Sequence, residues 1–236
     1  MLGTNGCGKS TLLRTLAGLQ PPLLGDIMLK IPAGMDVPPA TNDLPLSRFS
    51  HEQLARTIAL VLTERESIDK TLVHDIVAMG RYPYTNLRGT LTPHDEQVID
   101  TALQDVGLTH LAGRWFNSLS DGEKQRVLIA KALAQQTPVI LLDEPTAHLD
   151  LPNRIKTMLL LRRLAHEQHK AILISTHELD LALQTADLIW LMTAQSGVRV
   201  GTPADLTSDG SFQRAFADSA FRFADHNGHL SIIVEE

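Results

Sequence analysis

The stretch GTNGCGKS at residues 3–10 decides the fold class. It has the spacing G-x-x-x-x-G-K-S, in which glycine N–H groups, the Lys9 ammonium and the Ser10 hydroxyl can face phosphate oxygens. The leucines of residues 10–19 recur at helical spacing, so a helix follows the loop and points its positive end at the anion. The alternative is a glycine-rich turn before a helix, but all fixed positions match, which favours nucleotide binding.

A second motif, VILLDE at residues 139–144, supplies carboxylates. Its continuous apolar run is typical of a strand that is buried on both faces of a parallel sheet. Asp143 at the strand end can hold a metal ion, and Glu144 is placed to polarise an attacking water. Many strands end in charged loops, so the motif becomes strong only together with the phosphate loop.

A third motif, LSDGE, occupies residues 119–123. Ser120 and Glu123 have the S-x-x-E spacing of a capping box, and an apolar helical pattern follows them. The same helix start is a second place where an anion can bind, so the structural and the functional interpretations are compatible.

Composition limits the function classes. The chain has 236 residues, of which 43% are hydrophobic and 20% charged, enough to bury a core without disulfides or metals. Lys and Arg number 21 against 27 Asp and Glu, a net charge of −6 without basic blocks, which argues against a nucleic-acid binder. The single cysteine, Cys7, excludes an internal disulfide.

The pattern along the chain alternates between strand and helix, which predicts an α/β fold with a mostly parallel sheet. Asn227-Gly228 lies between two apolar runs and predicts a hairpin. The predicted strands cover residues 58–62, 139–142, 171–175 and 188–192, with a short edge strand at 27–31, and the predicted helices include 151–168 and 178–186. Residues 71–136 are strongly helical.

Five motifs in fixed order carry a family resemblance: the phosphate loop, LSDGE, ILLDEP, AHLD at residues 147–150 and STH at residues 175–177. Together they resemble the ATP-binding subunit of an ABC transporter. The resemblance implies a P-loop NTPase (RecA-like) core, made of residues 1–70 and 137–236, with a helical subdomain inserted at 71–136. One domain therefore spans residues 1–236, with most of the family's N-terminal antiparallel strands missing.

The resemblance also implies ATP and Mg²⁺ as cofactors and a role for each motif. Glu144 is expected to be the general base, and His177 to contact the γ-phosphate. Asp150 is expected at a dimer interface, where Ser120 and Gly122 reach the nucleotide of the opposite subunit. The nucleotide-binding residues are expected to be Gly3, Thr4, Asn5, Gly6, Cys7, Gly8, Lys9, Ser10, Thr11, Ser120, Gly122 and Asp150.

Partners and cargo follow from the same resemblance. The expected assembly is a homodimer or a paired ABC subunit on a membrane permease, at the cytoplasmic face, served indirectly by a solute-binding protein and without nucleic acid. GRYPY at residues 80–84 resembles a segment of importers for ferric siderophores, haem and vitamin B12. Its structural interpretation is a proline turn with packed tyrosines between two helices.

Two features depart from the family pattern. The family has a Mg²⁺-binding glutamine after the strand at 58–62, where this chain has Thr63 and Glu64. Thr63 is the better positional match, and Glu64 can bind Mg²⁺ through its carboxylate. The chain also begins at its phosphate loop, so we expect Met1 to be a misplaced start or a truncation, the lead-in strand to be absent, and ATP binding to be weak.

Two other functions are compatible with parts of the sequence. A soluble ABC ATPase outside transport usually has two cassettes or long coiled coils, whereas this chain has one cassette and no sustained heptads. A degenerate or truncated subunit without ATPase activity agrees with the short N-terminus, but the intact Lys9, Asp143, Glu144 and His177 oppose it. An ATPase that powers an importer remains the main prediction.

Overall fold

The computed structural model describes residues 1–4, 6–29, 44–62, 70–86, 88–193 and 197–216, and the backbone of two later strands. The strands are Leu2–Gly3 (β1), Met28–Leu29 (β2), Leu44–Pro45 (β3), Ile58–Val61 (β4), Val139–Asp143 (β5), Ala171–Ser175 (β6), Ile189–Thr193 (β7), Gly197–Gly201 (β8), Phe221–His226 (β9) and His229–Val234 (β10). The α-helices are Lys9–Leu16 (α1), His51–Ala55 (α2), Val73–Ala78 (α3), Pro93–Asp105 (α4), Asp121–Ala134 (α5), Leu151–Glu167 (α6), Leu179–Thr185 (α7), Pro203–Ser208 (α8) and Ser211–Ala215 (α9).

The central strands form two three-stranded sheets. In one, β4, β5 and β6 are parallel, with Leu141 opposite Leu60 on one side and Leu173 on the other. In the second, β7 pairs in parallel with β1 and antiparallel with β8. The parallel core confirms the predicted α/β fold class, because apolar strands such as β5 are buried by helices on both faces.

Strand β1 corrects one expectation. The prediction that no strand leads into the phosphate loop is wrong, since Leu2 and Gly3 pair with Leu191 and Met192 of β7. On the other side, the Met1 nitrogen donates to the Ile174 carbonyl at 2.5 Å, and the Met1 carbonyl accepts from the N–H of Thr176 at 3.1 Å. Residues 1–3 therefore connect the two sheets, and they provide hydrogen-bond partners for backbone groups of β7 and of the end of β6.

Helices α3, α4 and α5 lie within the predicted helical subdomain and pack on one another. Thr92 and Asp95 form a capping box at the start of α4, and Pro93 takes its first position. The buried side chains of these helices form one hydrophobic cluster that continues into β4, β5 and α6, through residues such as Ala59, Leu142 and Leu161. The cluster thus connects the helical layer to the sheet.

The GRYPY segment lies in a 3₁₀ helix, Met79–Tyr84, against the end of α5. Arg81 is 2% exposed; its Nε donates to Asp95 at 2.8 Å, and its Nη1 donates to the Ala134 carbonyl and to Gln136, both at 2.8 Å. The guanidinium also stacks over the Tyr84 ring, 4.1 Å from its centroid. These contacts support the structural interpretation of the segment, although Tyr82 remains exposed.

Other sequence-based boundaries hold to within a few residues. Strands β9 and β10 pair antiparallel with His226 opposite His229, which confirms the predicted hairpin, while its Asn227-Gly228 turn lies outside the described residues. Of the predicted edge strand at 27–31, Met28–Leu29 form β2, and residues 30 and 31 lie outside the described residues. Within the described part of the chain, no helix is both long and apolar enough to cross a bilayer.

Candidate functional site

Three strand ends place the predicted site residues at one edge of the sheets. The carboxyl end of β1 leads into the phosphate loop, β5 ends at Asp143, and β6 is followed by Thr176 and His177. The Met1 hydrogen bonds bring the ends of β1 and β6 side by side, and Asp143 lies opposite Ser175 in the β5–β6 register. Ligands of open α/β sheets bind at this edge.

The phosphate loop has an open inner surface. Gly6 and Gly8 have φ of +79° and +97°, a region that favours glycine, and a Cβ atom placed on either would meet no atom within 4 Å. Gly8 also precedes α1 without a side-chain cap. The first-turn N–H groups of α1 are therefore available to an anion in the space beside the loop.

Lys9 is held at the mouth of this loop. Its side chain is buried, and Nζ donates to the Gly3 carbonyl at 2.9 Å and the Thr4 carbonyl at 3.3 Å. Ser10 and Thr11 are exposed on the first turn of α1. Cys7 packs its side chain against a hydrophobic cluster, and Asn5 lies outside the described residues.

Ser175 connects the two acidic residues at the end of β5. Its hydroxyl donates to Asp143 Oδ1, and its Oγ and its carbonyl each lie 3.0 Å from the Glu144 nitrogen, which donates to them. Ser175 is fully buried and Asp143 is 7% exposed. One buried hydroxyl thus fixes both the Asp143 carboxylate and the Glu144 backbone.

Glu144 has an unusual backbone and faces His177. Its φ of +45° lies in the left-handed region, where a non-glycine residue is strained, and such strain concentrates at functional sites. Its carboxylate oxygen Oε2 lies 3.4 Å from His177 Nδ1, and both side chains are partly exposed. The structure therefore brings together the two side chains with predicted catalytic roles.

Ser120, Gly122 and Asp150 form a second group, which Asn153 connects. Ser120 caps α5 and makes the predicted box with Glu123, whose pKa is lowered mainly by the Ser120 N–H and then by its hydroxyl. A Cβ atom on Gly122 would lie 3.0 Å from Asn153 Cγ, and Asp150 accepts the Asn153 N–H at 3.0 Å. The starts of α5 and α6 are thus adjacent in one chain.

The remaining metal predictions are not located by the structure. Thr63 and Glu64 lie outside the described residues. Among the residues that are described, no group of three or more His, Cys, Asp and Glu side chains has the arrangement of a metal site.

Sequence reasoning assigned no role to Ser175, Arg154 or Glu178. Ser175 could have been noticed as a hydroxyl at the end of an otherwise apolar strand, next to the strand that ends in Asp143. Arg154 Nη1 donates to Glu178 Oε1 at 2.7 Å. The two residues are 24 positions apart in the sequence, so no local pattern indicates that pair.

Replacing Ser175 with Ala should lower kcat for ATP about tenfold and the free energy of unfolding by about 1–3 kcal/mol, because Asp143 loses a buried donor. Steady-state hydrolysis and urea unfolding measure the two effects. Ser208→Ala, which removes an exposed hydroxyl bonded to the Asp205 carbonyl, is the matched control. Equal behaviour of the two variants would contradict this assignment.

Comparison with known families agrees with the geometry. The family model described as "ABC transporter" matches residues 1–147, more than half of the chain. The chain belongs to the ABC transporter family. It is an ATP-binding subunit of that family, and its enzymatic class is ATPase.

Relatives in the ABC transporter family include importer subunits. The achromobactin transport ATP-binding protein of Dickeya dadantii is 36% identical over 92% of this chain and 76% of its own length. The cobalamin import ATP-binding protein of Halobacterium salinarum is 38% identical over 92% of this chain, but over only 51% of its own length.

Solved ABC structures share the fold. A metal-chelate type ABC transporter in an inward-facing conformation aligns with a TM-score of 0.78 and 30% identity, over 100% of this chain and 86% of the other. A dimeric ATP-binding cassette with bound ADP and phosphate aligns with a TM-score of 0.65 and 26% identity, over 86% of this chain and 83% of the other.

Proposed function

We propose that this chain hydrolyses ATP to power the import of a metal chelate, such as a ferric siderophore or cobalamin. The observation that carries the proposal is the meeting of the phosphate loop, Asp143, Glu144 and His177 at the carboxyl ends of β1, β5 and β6. The importer relatives and the metal-chelate transporter support the cargo class.

The phosphate loop and α1 bind the nucleotide in this proposal. The open side of Gly6 and Gly8 accommodates phosphate oxygens against backbone N–H groups. In the structure, Lys9 Nζ donates to two loop carbonyls. When ATP binds, this ammonium can turn to the β- and γ-phosphates as a compact positive charge.

The residues present fit Mg²⁺. This ion usually keeps several waters and takes one or two carboxylates together with substrate phosphates, so a single carboxylate and a hydroxyl are a suitable donor set. Asp143 at the end of β5 and Ser10 on the first turn of α1 would hold the ion, with Glu64 as a third donor. When bound, Mg²⁺ neutralises phosphate charge.

Glu144 is the general base in this proposal. Its carboxylate orients a water and takes its proton as the water oxygen attacks the γ-phosphorus; the bond to the β-phosphate oxygen breaks, and ADP and phosphate leave. His177, 3.4 Å from Glu144, donates to the γ-phosphate and positions the carboxylate. The strained backbone of Glu144, held by Ser175, fixes the direction of attack.

Assembly completes the site. We propose a head-to-tail dimer in which Ser120 and Gly122 of one copy face the ATP held by the other; the solved cassette with bound ADP and phosphate is itself dimeric. Asp150, beside this group, would lie at the dimer interface. The dimer works at the cytoplasmic face of a permease, and residues 71–136 act as the helical subdomain of a core formed by 1–70 and 137–236.

Uptake by cells tests the cargo. Deletion of the gene in its native host should abolish the uptake of either a radioiron-loaded hydroxamate siderophore or radiolabelled cobalamin. The wild-type gene should restore uptake, and the Glu144→Gln gene should not. Normal uptake of both compounds in the deletion strain would refute the cargo class without affecting the ATPase assignment.

A further inference from the structure

The first turn of α6 carries an arginine that joins two separate loops. Arg154 Nε donates to the Leu149 carbonyl at 2.7 Å, and its Nη1 donates to Glu178 Oε1, also at 2.7 Å. Leu149 lies in the loop between β5 and α6, whereas Glu178 follows β6. One guanidinium thus bridges the two loops that leave neighbouring strands.

This bridge differs from an ordinary surface ion pair. The Arg154 side chain is 34% exposed and that of Glu178 only 15%, so water screens the pair less than a fully solvated one. Both hydrogen bonds are short and charge-assisted, and they use different edges of one planar group. A lysine carries all its donors on one nitrogen, which cannot occupy the two separate positions from which Nε and Nη1 donate, so it would not reproduce both bonds.

Each bridged loop contains a residue of the proposed ATP site. Asp150 directly follows Leu149, and Glu178 directly follows His177. Glu178 Oε1 lies 3.8 Å from His177 Nε2, whereas Glu144 approaches the other ring nitrogen, Nδ1. The Glu178 N–H donates to Thr176 Oγ1 at 3.0 Å. The position of Glu178 therefore constrains where the imidazole can lie.

We propose that Arg154 is a positioning residue that couples the Asp150 loop to His177 through Glu178. The inference rests on the proposed function, in which Asp150 lies at the dimer interface and His177 reaches the γ-phosphate. A displacement of the Asp150 loop on dimerisation is then transmitted to Glu178 by two hydrogen bonds, and from Glu178 to the adjacent His177. In this role Arg154 contacts neither the nucleotide nor the attacking water.

The first test separates catalysis from nucleotide binding. Arg154→Gln should lower kcat about tenfold and leave KM for ATP within about twofold, because the phosphate loop is not altered. Arg163→Gln is the matched control: Arg163 lies on the same helix but donates to the Asp105 carbonyl and faces Glu167. It should retain the wild-type kcat.

A double-mutant cycle tests the route through Glu178. If Arg154 acts through that carboxylate, Arg154→Gln combined with Glu178→Gln should be no slower than Glu178→Gln alone. Additive losses in kcat would overturn the proposed route. Arg154→Lys should stay close to Arg154→Gln, because one ammonium nitrogen cannot replace the separate Nε and Nη1 donors. Full rescue by lysine would also contradict the proposal.

Hydrogen exchange of the full chain without nucleotide gives a readout that is independent of turnover. In Arg154→Gln, amides in residues 147–150 and 176–179 should exchange faster together, and Arg163→Gln should leave both segments unchanged. Unchanged exchange in Arg154→Gln, or a change in only one segment, would overturn the coupling. A wild-type chain that does not hydrolyse ATP would instead refute the proposed function.

Discussion

Replacing Glu144 with Gln should lower ATP turnover by at least about a hundredfold and leave ATP binding intact, because the variant keeps the side-chain shape but cannot accept a proton. Asp143, Ser175 and Lys9 are unchanged, so phosphate and metal binding should persist. The variant should therefore accumulate as an ATP-bound dimer. Steady-state hydrolysis and light scattering with and without ATP measure these two properties.

A suitable control is Glu167→Gln at the exposed end of α6, whose side chain faces Arg163 at 3.8 Å. This control should hydrolyse ATP at the wild-type rate. Hydrolysis within twofold of wild type in Glu144→Gln would show that another group accepts the proton. Loss of ATP binding in that variant would show that Glu144 is needed for nucleotide binding and not specifically as the proton acceptor.

Replacing Arg81 with Met should lower the free energy of unfolding by about 3–5 kcal/mol, because the Asp95 carboxylate would remain buried without its cation. The Ala134 carbonyl at the end of α5 would also lose a donor. Denaturant unfolding measures the change. Arg163→Met, which removes a half-exposed arginine, should cost less than about 1 kcal/mol.

Neutralising the partner provides the second arm of this experiment. Arg81→Met combined with Asp95→Asn should be more stable than Arg81→Met alone, since no unpaired charge stays buried and the amide oxygen can still accept from Thr92. A double variant that is less stable than the single one would contradict the ion-pair argument, as would a single variant within about 1 kcal/mol of wild type.

The same pair predicts a pH dependence. Burial raises the pKa of Asp95, but the Thr92 hydroxyl and N–H and the Arg81 guanidinium outweigh it and lower the pKa from 3.8 to about 2. As the pH falls, the Asp95 carboxylate is therefore protonated at a higher pH in the unfolded chain than in the folded one. The stabilisation is complete above pH 3.8 and disappears towards pH 2, and Asp95→Asn should lack this component.

Local sequence rules predicted the parts of the fold that depend on neighbours in the chain. The cap at Ser120, the apolar strand β5 and the final hairpin all follow from residues a few positions apart. The phosphate loop and the Asp143-Glu144 pair were recognised as two parts of one nucleotide site from their local motifs alone.

Contacts between distant segments were not predictable in this way. The GRYPY segment was interpreted partly through its family resemblance, but its arginine is buried against Asp95 and the end of α5. The pairing of β1 was missed because Leu2 and Gly3 are too few to form a recognisable strand pattern. Such contacts depend on which elements become neighbours in three dimensions.

The hydrophobic cluster that α3, α4 and α5 share with β4, β5 and α6 has a mechanical consequence. A helical layer with a core of its own could swing on the sheet as an independent body, whereas a shared core resists such movement because every rotation opens a void. A force applied to the helical layer on the side where Tyr82 is exposed is therefore transmitted through packed side chains to β5, the strand that ends in Asp143.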